Sequence, residues 1–402
     1  MSNWKRKKIG EILNFKRGYD LPSSSRTEGK IPIISSAGIS DYHNEFKKKG
    51  EGIVTGRYGT LGEIFYINGK YWPLNTTLYV TDFKGNYPKF IYYFLKTLKL
   101  ERFNGAAAVP GLDRKVLHKV EVLFNDDVKI QKKIASILSS YDELIENNEQ
   151  RISLLEEMAE EIYKEWFVRL RFPGYENTKI VDGLPEGFLK STLPDYIDFL
   201  EGPGLLSSQY RDEGIRYLNI RVMGKNDLDL KKAGFIDKDD TLRRYSHFLL
   251  KENDHIVSSS GTIGRVVSIR ESHLPLCLNT SIIRFRPKTD NIGKWQLKHY
   301  LKSNLFQGQI ESFAIGAAQA NFGPTHLKIT KVMVPTLQVG INYEKIVSPL
   351  EEEIKILLEK NLILQETRDL LLPRLISGKL SVEHLVEKEE LMMVAEGREQ
   401  YN

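Results

Sequence analysis

Gly59-Thr60-Leu61-Gly62 followed by Leu74-Asn75-Thr76-Thr77 returns, in the same order, as Gly261-Thr262-Ile263-Gly264 followed by Leu278-Asn279-Thr280-Ser281. Toward the N-terminus, Ile31-Pro32-Ile33-Ile34-Ser35 parallels Ile215-Arg216-Tyr217-Leu218-Asn219. Further back, Ile12-Leu13-Asn14-Phe15 with Gly18 parallels Ile197-Asp198-Phe199 with Gly202. Toward the C-terminus, Phe94-Leu95-Lys96 parallels Tyr300-Leu301-Lys302, and Gly105-Ala106-Ala107 parallels Gly316-Ala317-Ala318. Lys119-Val120-Glu121-Val122 then parallels Lys331-Val332-Met333-Val334. The separation grows from 184 to 212 residues, as loop insertions in one copy would produce. Any single match is at chance level, but seven in one order are not: the chain is an internal duplication.

Each half follows one plan. Short alternating runs such as Gly52-Ile53-Val54-Thr55 and Gly62-Glu63-Ile64-Phe65-Tyr66-Ile67, punctuated by Gly and Asn, predict a mixed α/β globule. A long helix follows it. The first starts after Asn125-Asp126-Asp127, which is N-cap material. Its seam is Ile130, Ile134, Ile137, Tyr141, Leu144, Asn148, Ile152, Leu155, Ala159 and Ile162, and Pro173-Gly174 is the expected stop. About 40 residues at ~1.5 Å each make a rod of roughly 60 Å. For the second helix, Ser348-Pro349-Leu350-Glu351 reads as a capping box with Pro at the first helical position, so helix before it should be broken or kinked there. Its seam is Ile354, Leu357, Asn361, Leu364, Leu371 and Leu375; Pro373 should bend the last turns and Gly378 stop them. Two helices with one apolar seam each bury it most economically in an antiparallel pair. The expected fold is therefore α+β: two mixed α/β domains alternating with two long helices in an antiparallel coiled coil, related by a pseudo-twofold duplication. The expected boundaries are 1–125, 126–172, 173–340, 341–380 and a tail 381–402.

Charge alternates along these blocks. The net formal charge is +5 overall, distributed as +10 over 1–125, −6 over 126–168, +6 over 169–340 and −5 over 341–402. Basic globules suit a polyanion, and acidic helices suit protein partners. The charged start Met1-Ser2-Asn3-Trp4-Lys5-Arg6-Lys7-Lys8 lacks a following apolar run, so no signal peptide is expected; no stretch approaches the roughly 20 apolar residues of a membrane span. The single cysteine, Cys277, excludes an internal disulfide and reads as a small core residue between Leu276 and Leu278. A cytoplasmic protein is expected.

Catalytic motifs are missing. The chain has no Asn/Asp-Pro-Pro-aromatic run of an amino-methyltransferase, no phosphate-cradling Gly-x-x-x-x-Gly-Lys-Ser/Thr loop and no two-His helix motif for zinc. Asp20 with Glu28-Gly29-Lys30 could imitate a nuclease, but such pairs are common by chance. His247 and His255 read as surface or core residues. The two Gly-x-x-Gly turns lie between strand-like runs, which favours a hairpin turn over the backbone clamp of a KH module.

The layout resembles the specificity subunits of Type I restriction–modification systems across essentially the whole chain. The resemblance rests on Gly111-Leu112-Asp113-Arg114-Lys115, Ile130-Gln131-Lys132-Lys133-Ile134, Lys164-Glu165-Trp166-Phe167-Val168, Leu184-Pro185-Glu186-Gly187-Phe188, and above all on Leu371-Leu372-Pro373-Arg374-Leu375-Ile376-Ser377-Gly378. One departure is that Gln131 has Tyr343 at its counterpart and Pro349 stands where Ile137 stood. The resemblance implies two target-recognition domains, each reading half of a split site in double-stranded DNA, in a phage-defence system. It implies that two methyltransferase subunits using S-adenosylmethionine dock on this chain and that restriction subunits using ATP and Mg join them. This chain would hold no catalytic residue, metal or cofactor of its own. Alternatives are a specificity subunit of a Type IIB-like enzyme and a stand-alone DNA-binding regulator. Side chains able to reach base edges or phosphates, at loop or strand-end positions, are Ser35, Ser36, Arg57, Tyr58, Thr60, Asn75, Arg114 and Lys115 in the first domain. In the second they are Asn219, Arg221, Ser259, Ser260, Thr262, Asn279, Gln319, Asn321 and His326. Lys47-Lys48-Lys49 reads as a solvated loop, with phosphate contact as the alternative.

Overall fold

The computed structural model describes residues 4–103, 111–224, 226–314 and 321–386. The chain divides into two compact units: Met1–Asn147 with Asn361–Asn402, and Asn148–Lys360. Both long helices are shared between them, Val128–Tyr163 and Leu337–Ile376. No helix among the described residues is long and apolar enough to cross a membrane.

In the first unit a six-stranded sheet has the order Asn14–Arg17, Thr77–Asp82, Lys48–Gly56, Ile64–Pro73, Ile31–Ser35, Gly38–His43. Pro88 opens the helix Pro88–Thr97, where its missing N–H leaves no helical bond unmade. That helix buries Phe90, Ile91, Phe94 and Leu95 in a core shared with Ile53, Leu78, and Ile130, Ile134 and Leu138 of the first long helix. Leu375 and Ile376 of the second long helix close the same core, and Asp142 meets Arg368 at 2.6 Å. Early residues of one helix thus meet late residues of the other, and the two run antiparallel.

The second unit builds its globular domain from two four-stranded sheets. One has the order Ile197–Glu201, Ile282–Pro287, His255–Ser258, Val266–Ser268; the other has the order Tyr210–Arg211, Gly234–Ile236, Ile215–Tyr217, Leu276–Cys277. Here too the long helices are antiparallel: Ile152 clusters with Ile354 and Leu357, while Tyr163 lies against Tyr343 with ring centroids 6.3 Å apart. Cys277 is buried, as its apolar neighbours implied.

The duplication is visible in matching backbone bonds. Ile9 N donates to Val120 O in one copy and Leu193 N to Thr330 O in the other. The strand Trp4–Lys8 pairs antiparallel with Glu121–Asn125, as Leu189–Thr192 does with Lys331–Val334. These ladders equate Glu121 with Lys331, so the sequence match of Lys119 to Lys331 is two residues out of register. Two residues is one strand period, which leaves the apolar alternation unchanged.

Three helix expectations need correction. In the first helix Leu144 is 53% exposed, whereas Leu138, Ile145, Ile152, Ala159 and Trp166 are buried at strict seven-residue spacing. The seam therefore uses 138 and 145 in place of 137 and 144, alternating with the 134, 141, 148, 155 row. This helix passes at Lys164 into a π turn ending at Val168, short of Pro173-Gly174. The turn's extra residue lets both Trp166 and Phe167 enter the core. In the second helix, Ser348-Pro349 is no start: the helix begins at Leu337, with Thr336 Oγ1 accepting from Val339 N at 3.3 Å, and runs through Pro349 and Pro373 to Ile376. Tyr343, Val347, Glu351 and Ile354 are all buried along its face, and that packing outweighs the roughly 3 kcal/mol penalty of an interior proline. Gly378, at φ +73°, ends the helix as expected, with Leu380 N donating to Arg374 O.

Candidate nucleic-acid interface

The first globular domain presents a turn built on two glycines, Gly59 and Gly62, whose φ values of +79° and +90° suit only glycine. The turn is held from both sides by backbone bonds. Arg57 N donates to Thr76 O at 2.8 Å, Leu112 N donates to Arg57 O at 2.9 Å, and Tyr58 bridges to Gly111. A Cβ on Gly111 would lie 2.4 Å from the Tyr58 ring, so the glycine that opens Gly111-Leu112-Asp113 is needed for this approach. The Arg57 guanidinium lies 4.4 Å over the Tyr58 ring, a cation–π stack that holds the fork outside the sheet. Ser36 borders the turn, its Oγ 3.2 Å from where a Cβ on Gly59 would stand. Asp113 caps the helix Arg114–Leu117 by accepting from Lys115 N at 2.7 Å, leaving the Arg114 and Lys115 side chains exposed.

The structure thus gathers Ser36, Arg57, Tyr58 and Thr60 on one turn, with Asn75 and Arg114-Lys115 on the segments that bracket it. Two of the expected residues are engaged within the fold. Ser35 donates to Gly38 O at 3.0 Å and so ties its own hairpin, and Asn75 Nδ2 donates to Asp20.

The second globular domain repeats the frame with other side chains. Ser259 N donates to Ser281 O at 2.8 Å, Phe322 N to Ser259 O at 3.0 Å, and Ser260 bridges to Asn321. Gly261 and Gly264 again have positive φ. Ile220 touches the turn, its Cδ1 3.9 Å from a Cβ placed on Gly261. Asn219 caps the short helical turn Ile220–Val222 by accepting from Arg221 N at 2.9 Å. Ser260 and Thr262 therefore lie on one turn, with Asn321 bridged to it and Asn219 and Arg221 on either side of Ile220, which touches it. Ser259 is buried, and so is Asn279, whose backbone presses on Gly202; their side chains serve the fold. His326 accepts from Gly323 N at 3.1 Å and stacks on Phe313 at 4.9 Å, which fixes the entry to the helix Pro324–Leu327. Gln319 lies outside the described residues, as do the glycine-alanine repeats at 105–107 and 316–318.

The sequence profile described as the Type I restriction modification DNA specificity domain matches residues 1–157 and again residues 185–365. The chain belongs to the family of Type I specificity subunits. It is 25% identical to the Type I restriction enzyme MjaIX specificity subunit of Methanocaldococcus jannaschii, over 94% of this chain and 93% of that one. It is 22% identical to the MjaVIII specificity subunit of the same organism, over 95% and 94%. The crystal structure of a Type I restriction–modification S subunit from M. genitalium shares the fold, with a TM-score of 0.58 at 21% identity over 93% of this chain and 96% of that one.

In this specificity subunit each reader is anchored to a long helix in an equivalent way. Gln131 Oε1 accepts from Tyr87 N at 2.8 Å at the start of the helix Pro88–Thr97. In the second copy Glu344 Oε1 accepts from Trp295 N at 3.0 Å and Gln296 N at 2.8 Å, at the start of Lys294–Lys302. Tyr93 donates to Asp142 at 2.5 Å, and His299 to Glu351 at 2.7 Å. The last pair equates Asp142 with Glu351, so the counterpart of Gln131 is Gly340 and not Tyr343, and Pro349 matches Ser140 and not Ile137.

Some interface features are not evident in the sequence. Glu101 and Gln307 face the second glycine of each turn, and both stand six residues beyond the matched Leu95 and Leu301. Lys48 and Lys49 belong to the strand Lys48–Gly56 and not to a loop, and Lys47 lies over Trp72. Of the nuclease-like trio, Asp20 is engaged by Asn75 and by Arg17 at 3.8 Å. Of the histidines, His255 is fully buried and His247 is exposed against Phe248.

Proposed function

We propose that this subunit sets the DNA sequence specificity of a Type I restriction–modification complex, each reader recognising one half of a bipartite, asymmetric site in double-stranded DNA. The observation that carries this reading is one backbone frame bearing two chemistries: Arg57-Tyr58 held between Thr76 and Leu112, and Ser259-Ser260 held between Ser281 and Phe322. A stacked arginine fork suits the O6/N7 edge of guanine. Ser260, Thr262 and Asn321 suit other donor–acceptor patterns. The spacer between half-sites, which no side chain reads, follows from the fixed length of the helices.

The helices supply the platform for partners. Leu154 and Ile363, one on each long helix, are both 61% exposed, and Met158 and Ile356 are exposed apolar side chains on the same two helices. Exposed apolar positions on duplicated helices suit two identical methyltransferase subunits, with restriction and translocase subunits joining them. In this reading S-adenosylmethionine belongs to the methyltransferases, ATP and Mg to the restriction subunits. This chain acts in the cytoplasm without a catalytic residue, cofactor or membrane association of its own. The test is exchange of residues 1–125 for the first domain of another specificity subunit, followed by methylation mapping. One half-site should change and the other stay; a change in both would refute independent readers.

A further inference from the structure

Lys16, Lys47 and Lys48 come from two separate stretches of the first reader and converge on one aromatic surface. Lys16 Nζ lies 5.9 Å from the Tyr19 ring centroid, Lys47 Nζ 4.4 Å from that of Trp72, and Lys48 Nζ 5.2 Å from that of Tyr79. Tyr19 and Tyr79 join their hydroxyls at 2.9 Å. The Tyr79 hydrogen bond and the three ammonium groups hold the Tyr19 phenol below its ordinary range, against the opposing effect of burial. Among the described residues, none of these three lysines has a carboxylate partner. Asp20, next to Tyr19 in the chain, is taken up by Arg17 and Asn75. Three uncompensated positive charges fixed on a rigid aromatic floor form an anion seat without an anion of the protein's own.

The seat is continuous with the reading turn. The segment Pro73–Thr77 accepts Tyr19 N at Pro73 O (2.8 Å) and Gly18 N at Thr77 O (3.1 Å); in between, Thr76 O accepts Arg57 N (2.8 Å). A Cβ on Gly18 would stand 2.1 Å from Leu74 O, so the chain just after the Lys16 strand is pressed onto the segment that holds Arg57. In the second reader the ladder position of Lys16 opposite Tyr79 is filled by Leu200 opposite Arg284. Arg284 is buried and paired with Asp198, and Arg286 is paired with Asp254. There the cations are neutralised inside the fold.

We propose that Lys16, Lys47 and Lys48 bind backbone phosphates of the DNA flanking the first half-site, and that the second reader has no counterpart of this seat. The proposal rests on the DNA-reading function above. It makes the first reader the salt-sensitive anchor of the complex, positioning the duplex without reading it.

The test uses the full chain and a fluorescein-labelled duplex carrying the motif found by methylation mapping, with a scrambled duplex beside it. Affinity is measured between about 50 and 200 mM salt. Replacing all three lysines by glutamine should lower the slope of log K against log[salt] by about 2 to 3, since each phosphate no longer neutralised takes away about 0.9. Affinity for both duplexes should fall while the preferred motif stays the same. Replacing all three by arginine should keep the slope, and Lys5→Gln, on the strand Trp4–Lys8, should leave it unchanged. A wild-type chain that binds and a glutamine variant with the wild-type slope refute the seat alone. An altered first half-site in that variant also refutes it, since the lysines would then be reading bases. A wild-type chain that binds neither duplex refutes the DNA reading itself.

Discussion

Replacing Glu351 by glutamine removes the buried charge that anchors the second reader to its long helix. Glu351 is 2% exposed, with Lys298 Nζ at 2.5 Å from one carboxylate oxygen and His299 Nε2 at 2.7 Å from the other. His299 is itself neutral, burial keeping its pKa below the ordinary range. Its Nδ1 then accepts from the Tyr343 hydroxyl at 2.7 Å. Burial alone would raise the Glu351 pKa, but Lys298 and His299 outweigh it and hold it at about 2. The drop from an ordinary value of 4.5 corresponds to on the order of 3 kcal/mol of stability. Breaking a buried pair costs a similar ~3–5 kcal/mol, because the abandoned ammonium has nowhere to go. Urea unfolding followed by tryptophan fluorescence reports on this unit through Trp166 and Trp295, both in its core. With a slope near ~2 kcal/mol/M, Glu351→Gln should lower the midpoint by about 1.5 to 2.5 M. The double change Lys298→Met with Glu351→Leu should recover most of that loss, since apolar groups replace a pair whose desolvation was costly. The sign with pH follows: this contribution is complete above about 4.5 and disappears as pH falls toward about 2, and the glutamine variant lacks that dependence. An unchanged midpoint for Glu351→Gln would show that the buried pair does not hold the reader to its helix.

Other outcomes follow from single sites. His255 is buried between Ser268 Oγ at 2.8 Å and Lys294 O at 2.7 Å, and burial depresses its pKa to about 3. Above pH ~6.5 it is neutral both folded and unfolded. Below that only the unfolded chain gains the proton, so stability should fall by about 1.4 kcal/mol per pH unit, and His255→Gln should flatten that limb of the stability–pH curve. Gly111→Ala drives a methyl group into the Tyr58 ring and displaces the stacked Arg57. It should cost ~1–3 kcal/mol in duplex binding, read by anisotropy, with sensitivity to base changes lost in the first half-site only. Leu154→Asp and Ile363→Asp, at positions 61% exposed, should leave the unfolding free energy within ~0.5 kcal/mol of wild type, yet each should remove one of two methyltransferase chains on co-purification.

Much of this architecture was legible because duplication and seven-residue periodicity are long-range patterns that survive local ambiguity. The seam positions of the second helix, from Ile354 to Leu375, include no exposed residue, as their spacing required. What misled was local. Ser348-Pro349-Leu350-Glu351 is a good isolated start signal, but Glu351 is used for a buried ion pair and Tyr343 and Val347 bury the turns before it. The capping function of Gln131 passed to Glu344, one turn further along than a matched residue would be, because what must be satisfied is a helix start and not a sequence position. In the candidate interface, the matched Gly-x-x-Gly turns take up equivalent backbone frames in the two halves, as their order in the sequence implied. Burial then separated Ser260 from its neighbour Ser259, a distinction no adjacent-residue pattern could make. Phosphate contact by Lys47 and Lys48 was open from the sequence, but Lys16 joins them only after the sheet is formed.

Two unlike readers on a duplicated scaffold should together specify one DNA site. Genome-wide mapping of methylated adenines, in cells carrying this subunit with its methyltransferase and in cells lacking it, decides whether they do. The expected result is a single motif of two dissimilar half-sites separated by a spacer of constant length and unspecified sequence. A continuous motif, or a palindromic one, would contradict it.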